Sequence, residues 1–287
     1  MHEEIKNKAK GFQDLAGRDV QILNEDQAFE IAHGNGATVH EVYTEALRMG
    51  IYPYRYIRNR DILSLEEQLT LAQSTVAVVG AGGLGGQVIL LLARLGVGHL
   101  VVIDRDVFDE TNLNRQALCT TGSLGMSKAN EAAVTVSSIN PAVLVTAHQI
   151  RLDASNAREI LAGCHLVVDA LDNVSDRLAL EQVAQSLGIP LVHGALAGFQ
   201  GQVMTIQPGD AGLKQVYDLQ LAREESAKRP EAVLGVPSIT AAFVATLEAM
   251  EVLKVLLGRG KPFRNMIAFV DLEGGEVHQL SFEREEK

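Results

Sequence analysis

The chain has 287 residues, of which 47% are hydrophobic, and this is ordinary for a globular protein of one or two domains. Its formal net charge of −11 argues against a general nucleic-acid binder, because such proteins need a basic face to neutralise phosphates. With only two cysteines, Cys119 and Cys164, the chain can form neither a disulfide framework nor a four-cysteine zinc site of its own.

Neither a membrane span nor a secretory signal is indicated. The longest apolar stretch, residues 88–104, is interrupted by Arg94, two glycines and His99. The N-terminal "MHEEIKNKAKGF" is charged and lacks the apolar centre of a signal peptide. We therefore expect a cytoplasmic protein that binds no membrane.

The start of the chain differs from the rest. We predict that residues 1–60 form a helical N-terminal segment that includes a subunit-crossing arm, and that residues 61–287 form the main domain. Thr38 and Glu41 have the spacing of a capping box at the start of an amphipathic helix. Residues 51–61, "IYPYRYIRNRD", are aromatic and basic, unlike any other stretch. Early helices are predicted at residues 24–34, 38–49 and 64–74.

From Thr75 onward, short β-branched runs alternate with amphipathic helical patterns, which is typical of a parallel sheet buried on both faces. After Ala195 the pattern changes to an alternating strand, a long polar connection at residues 208–236, an apolar helix and a hairpin turning at Gly274-Gly275. The sequence predicts an α/β protein with a doubly wound, Rossmann-like and mostly parallel sheet, extended by antiparallel strands. Predicted strands are 75–80, 99–104, 142–150, 165–171 and 190–195, and predicted helices are 84–96, 127–140, 154–163, 174–188 and 238–258.

A glycine-rich loop joins the first strand and helix of this domain. Gly80, Gly82 and Gly85 stand in G-x-G-x-x-G register, where glycines let backbone N–H groups approach a phosphate at a helix N-terminus. Asp104 ends the next strand, where a carboxylate can accept hydrogen bonds from ribose hydroxyls. These residues predict nucleotide binding and leave both NAD and ATP open.

The residues that follow the next strands favour ATP. Arg115 comes after the Asp104 strand, Lys128 opens a helix, and Asp172 follows another strand, so all three belong to the carboxyl-end side of the sheet. Hydride transfer has no use for several cations beside the phosphates. Breaking a phosphoanhydride does, because charge builds on the α-phosphate and the leaving pyrophosphate. Asp172 suits Mg²⁺ held partly by phosphate oxygens.

From about Tyr54 to the end, the chain resembles the MoeB/ThiF/HesA family, bacterial relatives of ubiquitin-activating enzymes. The matching motifs are "RYIRN", "GAGGLG", "VIDRDVFDETNLNRQ", "GMSKA", "INP", "VVDALDN", "PLVHGALAGFQGQV" and "LEAMEVLKVL". The resemblance implies that ATP and the C-terminal Gly-Gly carboxylate of a small ubiquitin-like sulfur carrier give an acyl-adenylate and pyrophosphate. It also implies a homodimer, because the family builds its site across two subunits.

The resemblance implies roles for the matching positions. Asp104 would hold the ribose, Asp172 would bind Mg²⁺, and Arg58 would reach the ATP of the neighbouring subunit. Arg115 and Lys128 would act on the triphosphate as the charge-stabilising, catalytic pair. The other nucleotide-binding positions are Gly80, Gly82, Gly83 and Gly85 of the loop, Asp106, Asn112 beside the triphosphate, and Gln116 as support for its loop.

Two departures from the family pattern limit what the resemblance implies. Many members have two C-x-x-C pairs that bind structural zinc, and many have a cysteine in the crossover loop, whereas residues 208–236 contain none. We therefore expect no structural zinc, and thioester chemistry is in doubt while adenylation is not. Cys164 is read as a small buried hydrophobe, and His148 and His193 as structural residues.

Two alternatives stay open at this stage. The chain could be a nucleotide-binding or carrier-docking partner of the same fold that has lost catalysis. An NAD-dependent oxidoreductase is favoured by the glycine loop and Asp104 alone. Retention of Arg115, Lys128 and Asp172 speaks against both alternatives.

Overall fold

The N-terminal segment combines helices with a small sheet. We describe residues 1–14, 16–217 and 230–282 of a computed structural model. The predicted early helices are present, and the capping box of Thr38 and Glu41 is formed. The helices are α1 (His2–Lys8), α2 (Glu25–Asn35) and α3 (Val39–Arg48).

A three-stranded sheet in this segment was not predicted. Strands β1 (Lys10–Gln13) and β2 (Asp19–Leu23) pair in antiparallel fashion, and β3 (Tyr52–Pro53) joins β2 in parallel. Strand β1, KGFQ, has no regular alternation of polar and apolar residues, and β2, DVQIL, alternates only from Asp19 to Ile22, so the pair gives a weak sequence signal.

The main domain follows the predicted strand–helix alternation. Its helices are α4 (Leu65–Ala72), α5 (Gly83–Leu95), α6 (Lys128–Ile139), α7 (Ala157–Ile160), α8 (Val174–Leu187), α9 (Pro230–Leu234) and α10 (Ser238–Leu257). Its strands are β4 (Thr75–Val79), β5 (His99–Ile103), β6 (Leu144–His148), β7 (Leu166–Asp169), β8 (Leu191–Ala197), β9 (Gln200–Ile206), β10 (Met266–Asp271) and β11 (Glu276–Ser281). None of the helices in the described ranges is long and apolar enough to cross a membrane.

One eight-stranded sheet organises the domain, in the order β11-β10-β9-β8-β7-β4-β5-β6. Strands β8, β7, β4, β5 and β6 are parallel, and β9, β10 and β11 extend the sheet with antiparallel pairs. This confirms the predicted doubly wound sheet with its antiparallel extension. The chain winds outward from β4 on one side and from β7 on the other, so the adjacent carboxyl ends of β4, β5 and β7 form a topological switch point.

Alternate residues of the central strands face two separate cores. Val76 and Val78 pack against α5, α6 and α10, whereas Ala77 and Val79 pack against α7 and α8. All four are at most 3% exposed, which is why these strands read as continuous apolar runs. A sheet covered on both faces leaves its strand ends as the open surface for a ligand.

The N-terminal segment has its own core and docks on the main domain. The aromatic rings of Tyr43 and Tyr56 contact edge to face at 6.2 Å within this core. Asn140, at the end of α6, donates from Nδ2 to the Tyr56 hydroxyl at 2.7 Å, and Arg55 donates to the Ile139 carbonyl at 2.9 Å. These bonds hold Arg55 and Tyr56 against the end of α6. Both residues belong to the basic arm, residues 54–63, which connects β3 to α4.

Candidate active site

A cavity of about 560 Å³ lies at the carboxyl ends of β4, β5 and β7. This volume is in the usual range for a small-molecule site. Among its lining residues are most of those predicted from the sequence, namely Gly80, Gly82, Gly83, Asp104, Asp106, Arg115, Gln116, Lys128 and Asp172.

The glycine loop is shaped by close backbone contacts that exclude side chains. Gly80 has φ +97°, and a Cβ there would lie 2.6 Å from the Ala170 carbonyl oxygen. A Cβ on Gly85 would lie 1.7 Å from the carbonyl oxygen of Gly80. Gly82 and Gly83 follow as the N-cap and first residue of α5, so the first backbone N–H groups of α5 face the cavity beside Gly82.

Asp104 is oriented by the backbone on both of its sides. Its Oδ2 accepts a hydrogen bond from the Ala81 N–H at 2.7 Å, and its Oδ1 accepts one from the Asp106 N–H at 2.8 Å. Each carboxylate oxygen has a second lone pair, which remains available to a ribose hydroxyl. The arrangement fixes an acceptor next to the glycine loop.

Two cationic side chains reach the same cavity from different elements. Arg115 follows a 3₁₀ turn at Glu110–Asn112, and its Nη1 donates to the Thr111 carbonyl at 2.8 Å and to Asn114 Oδ1 at 2.9 Å. Lys128 is the first residue of α6 and is 7% exposed, with Nζ 3.4 Å from Asp106 Oδ2. A cation withdrawn from water in this way acts more strongly on a nearby phosphate than an exposed one.

Gln116 has an unpaired polar atom at the cavity. Its side chain is 7% exposed, and its Oε1 has no hydrogen-bond partner within the described ranges. Its Nε2 lies 3.7 Å from the position that a Cβ on Gly82 would take. Buried polar groups are normally paired in native proteins, so this atom fits a ligand that completes its hydrogen bonding.

Asp172 lies in the connection between β7 and α8, with its carboxylate exposed to the cavity. Asn173 Nδ2 donates to Asp172 Oδ1 at 3.3 Å. Asn173 is also the N-cap of α8, because its side chain accepts the Asp176 N–H. Helix capping is therefore performed by Asn173, and Asp172 faces the same space as Arg115 and Lys128.

Three predicted site residues do not line the cavity. Gly85 packs directly against the Gly80 carbonyl and leaves no room for a side chain. Asn112 is buried, and its Oδ1 accepts the Asp109 N–H at 3.1 Å, which shapes the loop; its contact with the triphosphate stays a prediction. Arg58 is exposed on the arm before α4 and lies outside the cavity of its own chain.

Sequence reasoning missed several charged residues at the cavity. Arg151 and Asp176 pair at 2.6 Å at its edge, and Arg158 lines it as well. Arg177 is 8% exposed and donates from Nε and Nη2 to the Leu171 carbonyl, at 3.2 and 2.6 Å. No sequence signal distinguished the cavity-facing positions of α7 and α8, because these helices carry charges on several sides.

A buried polar network lies directly behind Arg177. Its Nη1 donates to the Tyr217 hydroxyl at 2.7 Å, and that hydroxyl lies 3.0 Å from His193 Nε2. His193 Nδ1 is 2.8 Å from Asp169 Oδ2, and both residues are at most 1% exposed. Burial holds the pKa of His193 below its ordinary value, although the Asp169 carboxylate opposes the shift. His193 lies outside the cavity lining, and the network braces the strand ends.

The two cysteines lie in different cores as free thiols. Cys119 packs in the core of α5 and α6, and Cys164 in the core of α7 and α8. Burial raises the pKa of both, to about 11 for Cys164. Protonated thiols are poor nucleophiles, so neither is activated. In the described ranges, no three His, Cys, Asp or Glu side chains are grouped to hold a metal ion.

The chain was compared with known protein families and sequences. Residues 55–287 match the ThiF family. The chain is 39% identical over 219 residues to the SAMP-activating enzyme E1 of Haloferax volcanii, covering 76% of this chain and 80% of that protein. It is 38% identical over 223 residues to the sulfur carrier protein adenylyltransferase of Thermus thermophilus, covering 76% of this chain and 82% of that one.

Solved structures support the same fold. A crystal structure of E. coli MccB with ATP superposes with a TM-score of 0.68 at 20% identity, covering 81% of this chain and 72% of that one. The MccB structure with MccA-N7isoASN gives a TM-score of 0.69, also at 20% identity, with 80% and 72% coverage. The match over residues 55–287 and the two curated relatives establish that the chain belongs to the ThiF family.

Proposed function

We propose that this protein is an adenylyltransferase that uses ATP to activate the C-terminal carboxylate of a small ubiquitin-like or sulfur-carrier protein. The observation that carries the proposal is the convergence of Asp104, Arg115, Lys128 and Asp172 on one cavity beside the glycine loop. The two relatives named above support the substrate class, because each is named for activating or adenylating a carrier of this kind.

The chemistry follows from the arrangement of these groups. A carboxylate oxygen of the carrier attacks the α-phosphorus of ATP, the bond from that phosphorus to the bridging oxygen breaks, and pyrophosphate leaves with the electron pair. Arg115 and Lys128 offer positive charge where negative charge grows, and the backbone N–H groups at the start of α5 bind phosphate oxygens. Asp104 holds the ribose and thereby sets the position of the α-phosphate.

The cavity also fits Mg²⁺ bound with ATP. Asp172 supplies a hard oxygen donor on the side of the cavity that faces Arg115 and Lys128. Mg²⁺ commonly uses one or two carboxylates and takes its other ligands from phosphates and water, so a large protein cluster is unnecessary. When bound, it would neutralise phosphate charge, and Asp172 would hold it in place.

A homodimer is part of the proposal. Arg58 is exposed and lies outside the cavity of its own chain, so it is available to a second subunit. Ile239, Phe243 and Met250 are 60%, 39% and 48% exposed on α10, and their spacing places them on one face of that helix. A second copy of the chain would cover such a face.

The proposal needs no enzyme thiol and places the protein in the cytoplasm. The carrier carboxylate is itself the nucleophile, and the acyl-adenylate is reactive enough for an external thiol, amine or persulfide. Both cysteines are free, as is usual for a protein from a reducing compartment.

The experiment that tests the proposal is ATP–pyrophosphate exchange. We expect exchange with Mg²⁺ and a ubiquitin-like carrier ending in Gly-Gly, and none with the same carrier lacking its last glycine. A matched titration with NAD should show no binding at ATP-saturating concentrations. ATP binding without exchange, across a panel of Gly-Gly carriers, would instead identify a non-catalytic partner of the same fold.

A further inference from the structure

The hairpin of the N-terminal segment contacts the arm that carries Arg58. The family match begins at residue 55, so β1, β2 and the turn between them precede the matched region. Strand β3 leads directly into the arm, which runs through a 3₁₀ turn at Tyr54–Tyr56 and on to α4. The hairpin therefore lies before the matched region and beside a proposed catalytic group.

Asp14 is the centre of this contact. Its Oδ1 accepts the backbone N–H groups of Ala16 and Arg18 at 2.9 and 2.8 Å, which closes the hairpin turn. Its Oδ2 accepts from Arg18 Nε at 2.8 Å and also from Arg60 Nη1, two residues after Arg58. The Asp14 side chain is only 9% exposed, and the hydrogen bond from the Arg18 N–H is the main cause of its lowered pKa.

Further contacts hold the arm on both sides of Arg58. Arg18 pairs with Asp61, and the Arg60 guanidinium lies 5.6 Å from the centre of the Tyr52 ring. Before Arg58 in the chain, the Tyr54 ring contacts the ring of Phe12 of β1 edge to face, with 5.3 Å between the ring centres. The hairpin therefore contacts the arm on both sides of Arg58 along the chain.

The other end of the arm is fixed by the main domain. Arg259, just after α10, donates to the Ile62 carbonyl at 2.6 Å. Within the arm, the Asn59 N–H bonds the Tyr56 carbonyl at 2.8 Å, and the Leu63 N–H bonds the Asn59 carbonyl at 2.7 Å. Arg58 sits on a backbone held by these bonds, yet its own side chain is exposed and makes no hydrogen bond or ion pair with the described part of the chain.

We propose that the β1–β2 hairpin is a positioning device for Arg58, acting chiefly through the largely buried Asp14–Arg60 pair. This inference rests on the proposed role of Arg58 in the neighbouring subunit's site. The guanidinium has no partner within the described part of the chain, so the backbone of the arm sets where the side chain begins and therefore what it can reach in a neighbouring subunit. Catalytic groups lose rate steeply when they are misplaced, so a hairpin that fixes this backbone would control turnover in the partner's site.

The test begins with Asp14→Asn, which keeps the size of the side chain and removes its charge. We expect exchange to fall about 10- to 100-fold, the range that an ångström-scale misplacement can cause. Glu30→Gln is the matched control, because it removes the Lys8–Glu30 pair at the other end of the segment. Such an exposed pair contributes little, so exchange should stay within about twofold of wild type.

Subunit mixing then shows which site Asp14 serves. Asp14→Asn chains mixed with Arg115→Ala chains should recover exchange, because one site of the mixed dimer receives an intact arm from the Arg115→Ala chain. Asp14→Asn mixed with Arg58→Ala should recover none, because each site receives a defective arm. Arg60→Met removes the partner of the Asp14 carboxylate at a side chain that is only 19% exposed, leaves the hairpin turn unchanged, and should show the same pattern.

The outcomes distinguish a failure of the hairpin inference from a failure of the proposed role of Arg58. Wild-type exchange in both Asp14→Asn and Arg60→Met would overturn the inference, and so would a defect that Arg115→Ala chains fail to complement, because it would then act within the chain's own site. If Arg58→Ala itself retains full exchange, the proposed role of Arg58 fails. If Arg58→Ala is inactive and is complemented by Arg115→Ala while the hairpin variants are active, only the positioning inference fails.

Discussion

The Asp104 carboxylate accepts the backbone N–H of Ala81 at 2.7 Å, and this bond joins the end of β5 to the glycine loop after β4. The residue proposed to bind ribose therefore also holds the loop proposed to bind phosphates. Its second oxygen anchors the Asp106 N–H, so the loop and the start of the β5–α6 connection share one carboxylate.

Asp104→Ala should weaken ATP binding about 10- to 100-fold, because hydrogen bonds to a charged group contribute roughly 1.5–3 kcal/mol each. Isothermal titration with ATP measures the effect. Glu110→Ala, at an exposed carboxylate on the same connection and outside the cavity, is the control and should bind normally. Unchanged ATP affinity in Asp104→Ala would remove this carboxylate from the nucleotide site.

Arg115→Ala should nearly abolish exchange and leave the fold intact. Losing one charge-stabilising group typically lowers the rate by about 10²–10³-fold. Because Arg115 bonds only residues of its own loop in the described structure, the melting temperature should change little. Arg94→Ala, at an exposed arginine in the last turn of α5, serves as control. Exchange within about threefold of wild type would exclude Arg115 from the mechanism.

A Cys119→Ser, Cys164→Ser double variant should keep carrier-dependent exchange. Both thiols are buried with raised pKa values and lie in separate cores, so neither is prepared to attack an adenylate. Non-reducing gels of the wild-type enzyme with carrier and ATP should show no thioester conjugate. A reductant-sensitive conjugate that disappears with Cys119→Ser alone would make that residue a catalytic cysteine.

Glu248 on α10 is a buried carboxyl with an unusual environment. Neither of its oxygens has a hydrogen-bond partner within the described ranges, and a Cβ on Gly194 of β8 would lie 2.5 Å from its Oε1. Burial, assisted by the nearby Asp169 carboxylate and opposed by Arg177, holds the pKa of Glu248 well above its ordinary value of 4.5. Folded Glu248 is therefore protonated at pH values where the unfolded residue is ionised.

This raised pKa makes stability fall as pH rises. Above the unfolded pKa the unfolded state binds one proton fewer, so the free energy of unfolding declines by about 1.4 kcal/mol per pH unit until the folded pKa is reached. Glu248→Gln cannot ionise and should lose this slope. Urea unfolding of both proteins at a series of pH values from about 5 to 8 isolates the difference, since other groups titrate equally in both. Parallel curves would contradict the raised pKa.

Much of the sheet and the centre of the site could be predicted from the sequence. Strands β4, β5 and β7 and the first half of β8 are buried on both faces, so their apolar runs are explicit. Since the carboxyl ends of parallel strands meet at one edge, the positions of Arg115, Lys128 and Asp172 along the chain predict that these residues lie together.

The rest depends on side-chain direction and tertiary contacts. The 3₁₀ turn brings Asn112 Oδ1 to the Asp109 N–H, a contact that the sequence pattern did not indicate. In the β1–β2 hairpin only the short β2 alternates between polar and apolar residues, and the hairpin is held by contacts such as Asp14 with Arg60, 46 residues apart. Glu248 lies in a mostly apolar helix, and the pattern predicts burial of that face without showing that a carboxyl is unpaired there.

The central claim is that the enzyme transfers an adenylyl group to a carrier carboxylate. The most direct measurement traces which phosphate of labelled ATP is transferred to the carrier. The enzyme is incubated with Mg²⁺, a ubiquitin-like carrier ending in Gly-Gly, and ATP labelled on either the α- or the γ-phosphate. We predict that α-label appears on the carrier, in a form that hydroxylamine releases, and that γ-label appears in pyrophosphate. Transfer of γ-label to the carrier, or formation of ADP in place of pyrophosphate, would contradict the account.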